Sequence, residues 1–183
     1  MHAKPDLRVF LKWMIAGSGS VITDVIPLEP MHRFEIVPNV GVGPVLLGMV
    51  REQVRDAIFS CSDLDQSSHP TLDYAFGNSL QIEYDGDGHA QFMGVAYFTG
   101  CGCDYEFRGR HIGDYTAREL FELLADLDDC KHTYDPNSYF FPKIMMNVWD
   151  ADEQYDYRGG ESTPVYGQVG IANQQYTDSI STK

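Results

Sequence analysis

The side chains in this 183-residue chain with the chemistry to hold a metal or to catalyse are four cysteines, six histidines and a large surplus of carboxylates. Cys101-x-Cys103 and Cys130-x-His132 together offer three thiolates and an imidazole, a donor set suited to tetrahedral Zn²⁺. Structural zinc sites place two or more residues between paired ligands, so the one-residue spacers read as reduced thiols, and no metal is expected. Asp85-Gly86-Asp87-Gly88 opens like a calcium loop, but the further oxygen ligands and closing Glu of an EF-hand do not follow, and the stretch reads as a hairpin turn. Gly41-x-Gly43 lacks the third glycine and the Lys-Ser/Thr of a phosphate cradle. His2, His32, His69, His89, His111 and His132 are scattered, with no Gly-x-Ser-x-Gly elbow beside them. No catalytic residue and no cofactor is assigned, and the chain is read as a non-enzyme.

The acidic residues are harder to explain as plain surface. Asp126, Asp128 and Asp129 fall at the C-terminal end of a leucine-rich helix, where the macrodipole is already negative and each carboxylate costs a few tenths of a kcal/mol. Further on, Asp150, Asp152, Glu153 and Asp156 bracket Trp149, Tyr155 and Tyr157, interleaving acid with aromatic side chains as an interface for a basic protein partner does. These ten residues form the candidate partner-binding set. The plainer reading is a solvated acidic rim that keeps the chain soluble. A reading of another class is a small-ligand or enzymatic pocket over the sheet, lined by Tyr97, Tyr105 and Trp149.

The formal net charge of -14 repels phosphates and anionic lipid, which argues against nucleic acid and membrane surfaces as partners. A hydrophobic fraction of 43% with 13% aromatics is that of a folded protein with one sizeable core. The first apolar run, Val9 to Ala16, is interrupted by Lys12 and falls well short of the roughly 20 residues that span a bilayer. Few cysteines, no spanning segment and a poor signal peptide point to the cytoplasm.

The elements that would position these residues follow from periodicity. Residues 1–30 read as an N-terminal extension, with a short amphipathic helix and a Gly17-Ser18-Gly19-Ser20 linker, dispensable for folding. Residues 31–172 read as a single α+β domain, and 173–183 as a polar, frayed tail. Phe34 to Val37 is a strand. Gly41, Gly43 and Pro44 make a loop into a helix ending near Phe59, with Val50, Val54, Ala57 and Ile58 on its apolar face and Arg51, Glu52, Arg55 and Asp56 toward water. Ser60 to Pro70 is a surface loop. Leu80, Ile82 and Tyr84 alternate in a strand, Ala90 to Phe98 is apolar on both faces and so central, and Tyr105 and Phe107 alternate again. Thr116 and Glu119 form a capping box before a helix from Ala117 to about Asp128, with Leu120, Leu123, Leu124 and Leu127 inward. Tyr139 to Trp149 reads as one long strand and Val165 to Ala172 as the last. The fold expected is an antiparallel β-sheet with two main helices on one face, and a loose tandem helix-plus-strands repeat.

The string Gly48-Met49-Val50-Arg51-Glu52-Gln53-Val54, followed by a meander, resembles the helix entry of small helix-plus-meander proteins such as the outer-membrane assembly lipoproteins and β-lactamase inhibitory proteins. Val50 stands where that motif usually has a helix-capping Thr. The span from Phe34 to about Ile171 also resembles small bacterial proteins, some of which neutralise toxins as immunity proteins. The resemblance implies a binding protein and not an enzyme, and the acidic, aromatic-containing surface makes the expected partner basic, as a toxin neutralised by an immunity protein would be.

Overall fold

The computed structural model describes residues 32–59, 61, 64–65, 69–96, 103–152 and 163–181. The extension 1–30, Tyr97, Phe98, Cys101, Glu153, Tyr155, Asp156 and Tyr157 lie outside the described residues.

The first strand, β1 (His32–Val37), buries Phe34 and Ile36 and turns its other residues outward. The segment from Gly41 to Leu46 is not a plain loop: β2 (Gly41–Val42) and β3 (Val45–Leu46) pair as a minimal hairpin. Gly43 turns it at a φ of 54° with the Phe34 ring where a Cβ would stand, so a larger residue is excluded twice over. Helix α1 (Arg51–Phe59) follows, burying Val54 and Ile58. Val50 stays 37% exposed, pairing as an isolated bridge with His89, so the helix begins one residue later than its apolar spacing suggests.

Part of the polar stretch after Phe59 is strand, β4 (Leu64–Asp65), paired to β5 (Leu72–Ala75). β5 gives no clear alternation of apolar side chains because its inward position 73 is an aspartate. β6 (Leu80–Tyr84) and β7 (Ala90–Ala96) form the expected hairpin, with the Asp85 carboxylate accepting from the Asp87 and His89 amides. β8 (Cys103–Phe107) and β9 (Arg110–His111) lead through a 3-10 turn (Ile112–Asp114) to α2 (Ala117–Asp128). The capping box is complete: Thr116 Oγ1 accepts from the Glu119 amide at 3.1 Å and Glu119 Oε2 from the Thr116 amide at 2.8 Å. The stretch from Tyr139 to Trp149 is two strands, β10 (Ser138–Phe141) and β11 (Met146–Asp152), because Pro142 has no N–H for the ladder and Met145 takes a φ of 51°. After β12 (Val165–Ala172) the polar tail is helical, α3 (Gln174–Ser181), with Asn173 Oδ1 accepting from the Tyr176 amide.

Among the described residues the strands form two sheets, β3-β2-β1-β8-β9 and β10-β11-β12-β7-β6-β5-β4. The larger is antiparallel throughout, with β7 at its centre as its two apolar faces require. In the smaller, β1 and β8 run parallel. Chain order repeats: β1 to α1 to the meander β5-β6-β7, then β8 to α2 to the meander β10-β11-β12. The two meanders join at β7 and β12, where Met93-Gly94-Val95 faces Val169-Gly170-Ile171.

One face of the larger sheet carries Leu80, Ile82, Met93, Val95, Met146, Val148, Val169 and Ile171, all buried. Onto this inner face pack α2, through Phe121 against Tyr139 and Phe141, and the smaller sheet, through Phe34 against Phe76 and a 2.8 Å hydrogen bond between Tyr105 and Ser79. α1 is tied to the same face through Arg51 and Asp73. The two main helices thus share one face of an α+β fold, and α3 lies on the other, stacking Tyr176 on Phe92.

Candidate functional site

The C-terminal end of α2 explains its own carboxylates. Asp128, the last helical residue, has no exposed surface; its Oδ1 accepts from the Lys143 amide at 2.6 Å and the Ile144 amide at 2.9 Å, which fixes the turn between β10 and β11. It is therefore a buried structural acceptor and not part of an acidic surface. Asp129 caps the helix in the left-handed region, φ 49°, and receives Lys143 Nζ on its carbonyl at 2.7 Å and its carboxylate at 3.4 Å. These bonds offset the unfavourable macrodipole. Asp126 is exposed.

Because Asp129 reverses the chain, Cys130 and His132 return beside Asp128. One donor atom from each of the three lies within 4.8 Å of the other two. His132 Nε2 is 3.1 Å from Asp128 Oδ2, with both side chains almost wholly buried, while Cys130 stands at the surface. The second ring nitrogen, Nδ1, is 3.2 Å from the Tyr139 hydroxyl, and the ring packs on Phe141. Desolvation alone would lower the Lys143 ammonium's pKa, but hydrogen bonds to Cys130 and Asp129 outweigh it and raise it. Of the donors grouped from the sequence, Cys130 and His132 do meet, but Cys103 belongs elsewhere, buried in β8 with its Sγ 3.7 Å from Ser79 Oγ. Asp128 is the ligand-type neighbour that spacing did not suggest, although it stands four residues before His132.

Trp149 belongs to a different surface. Alternation along β11 puts Met146 and Val148 on the inner face, so Trp149 points from the outer face, 57% exposed, opposite Gln168. Asp150 beside it is exposed at a φ of 56°, and Asp152 ends the strand. Beyond Gln168 the outer face continues in a polar row, Gln168 Nε2 toward Gln81 and Gln81 Nε2 donating to Glu83 at 2.8 Å. The carboxylates at the end of α2 and the Trp149 side chain therefore lie on opposite faces of the larger sheet and make no single patch. Nor do Tyr105 and Trp149 line one pocket: Tyr105 is fully buried between the sheets. A shallow cleft of about 260 Å³ lies elsewhere, lined by Ile36, Pro38, Phe107, Arg108 and Leu127 among others.

A buried ionic network completes the charged interior. Arg51, expected at the surface, donates from Nε to Asp73 Oδ2 at 2.9 Å and from Nη2 to Oδ1 at 2.6 Å. Tyr84 donates to Oδ2 at 2.9 Å, and Arg55 approaches Oδ1 at 3.4 Å. Burial would raise the Asp73 carboxyl's pKa, but these donors outweigh it and hold it below its ordinary value. Tyr84 is pushed up, by burial first and by the Asp73 charge. With its donors in place the network clamps α1 to β5.

No protein-family model, no curated protein and no solved structure matches the chain.

Proposed function

We propose that the chain is a non-enzymatic binding protein that takes a basic protein partner on the outer face of the larger sheet, around Trp149, Asp150 and Asp152. The carrying observation is Trp149, 57% exposed on a strand whose other face is core. A half-exposed indole costs solvation that an interface recovers, and aromatic anchors beside acidic groups hold basic partners. The net charge of -14 supports the sign of the partner, since it steers a basic protein inward. The doubled helix-and-meander order supports the likeness to small inhibitory proteins, and the narrower reading is an immunity protein that covers a basic bacterial toxin. A cytosolic setting is in keeping with Cys61, Cys103 and Cys130, none of which is in a disulfide. No helix among the described residues is long and apolar enough to cross a membrane.

The test is association of the full chain with the product of the adjacent reading frame, followed by surface plasmon resonance at low and physiological salt. Trp149→Ala should raise the dissociation rate at least about thirtyfold, as a hot spot of roughly 2 kcal/mol requires. Asp150→Asn with Asp152→Asn should slow association and flatten its salt dependence. A complex whose rates are unchanged by both variants would place its interface elsewhere and end this reading.

A further inference from the structure

We propose that Asp128 Oδ2, Cys130 Sγ and His132 Nε2 form a three-ligand Zn²⁺ site with a fourth coordination position open to solvent. The argument starts from two buried atoms. Asp128 Oδ2 and His132 Nε2 are enclosed and 3.1 Å apart, yet neither has a hydrogen-bond partner, since their approach is off the line that N–H···O requires. Buried polar atoms left in this way are costly, and a shared cation satisfies both at once. A tetrahedral ion with bonds of about 2.0 to 2.1 Å holds its nitrogen and oxygen ligands roughly 3.3 Å apart, close to the separation found.

The surrounding bonds are those a metal ligand needs. Asp128 Oδ1 is fully engaged by the Lys143 and Ile144 amides, which aims Oδ2 at the site. His132 Nδ1 can donate its proton to the Tyr139 oxygen at 3.2 Å, which leaves Nε2 unprotonated as a ligand. Cys130 supplies the third atom from the surface side. Carboxylate, thiolate and neutral imidazole with Zn²⁺ sum to no net charge, as a largely buried site favours. Binding releases the Cys130 thiol proton to solvent. Thiolate with imidazole selects against Ca²⁺ and Mg²⁺. The exposed edge at Cys130 leaves room for a water on the fourth position.

The experiment uses the full, untagged chain, reduced and stripped with a chelator. It is titrated with Zn²⁺ by calorimetry and with Co²⁺ by absorption. One Zn²⁺ per chain, tighter than about 1 μM, and a thiolate-to-cobalt charge-transfer band are expected. Cys130→Ser, a change at the surface with the fold checked by circular dichroism, should abolish the band and weaken Zn²⁺ by more than about tenfold. His132→Gln should weaken it likewise, and its melting curve in chelator separates loss of a ligand from loss of fold. Substoichiometric binding, or a cobalt band and Zn²⁺ affinity that survive Cys130→Ser, would overturn the proposal.

Discussion

Arg51 and Asp73 meet fork to fork, with contacts of 2.9 and 2.6 Å, so the first residue of α1 is hydrogen-bonded to an aspartate on the inner face of β5. The same guanidinium donates to the carbonyls of His69, Pro70 and Leu72. One side chain thus fixes a helix start, a loop and a strand. Arg51→Met should cost about 3 kcal/mol, the lower end for breaking a buried pair because Arg55 remains as a second donor. Urea denaturation measures it. Adding Asp73→Leu to Arg51→Met should recover part of the loss, since the stranded carboxylate is then gone.

Acid should unfold the protein partly through Asp73. Its folded-state pKa lies below the ordinary 3.8, so its contribution is whole above that value and is lost as pH falls through the folded one. Stability measured from pH 5 downward should fall steeply below about pH 4.

A second loss, beginning at higher pH, belongs to His111. Burial lowers the pKa of its imidazole below the ordinary 6.5, against the opposing charges of Asp104, Asp114 and Glu106. The neutral ring is the folded form, with Nδ1 accepting from the Gly113 amide at 3.1 Å. Stability is therefore complete above about pH 6.5 and declines as pH drops from there toward the folded value. His111→Asn keeps an acceptor for Gly113 and should flatten the stability curve below pH 6.5, where the parent's slopes. An equal slope in both proteins would assign it to other groups.

Gly170 should not tolerate a side chain. A Cβ there would collide with Asn147 Oδ1 and stand 2.7 Å from the Phe92 ring. Gly170→Ala should lower stability by about 1 to 3 kcal/mol, and combining it with Phe92→Leu should cost less than the sum of the two. Thermal melting of the four proteins decides the point.

Thr116→Ala removes one half of the capping box on α2 and should cost about 1 kcal/mol. Thr116→Ser should restore most of it, because only the oxygen is required.

What could be read from the sequence was local. Leu80, Ile82 and Tyr84 show their strand by alternation, Asp85 to Gly88 show the turn, and Thr116 with Glu119 mark the start of α2, because each signal is complete within a few residues. What escaped is set by partners far along the chain. Arg51 looks like a solvent-facing helix residue until β5 brings Asp73 to it, and Asp73 in turn hides β5 by putting a carboxylate where alternation wants an apolar side chain. Asp128 looks like a surface acid for the same reason: the amides that bury it belong to the turn after β10. The surface around Trp149 was half legible, since alternation in β11 gives its face but not that the end of α2 lies across the sheet from it.

The parallel pairing of β1 with β8 sets an order on folding. β1 finds this partner only when everything from Val37 to Cys103 has been made, including all of β5, β6 and β7. The hairpins of the first meander close short loops and can form early, while the β1 to β8 ladder waits for a long closure and enters late. During synthesis the waiting strand presents an open edge with Phe34 and Ile36 on one side. The exposed His32, Arg33 and Glu35 put polar and charged side chains beside them, and charge on an unpaired edge discourages its capture by another chain.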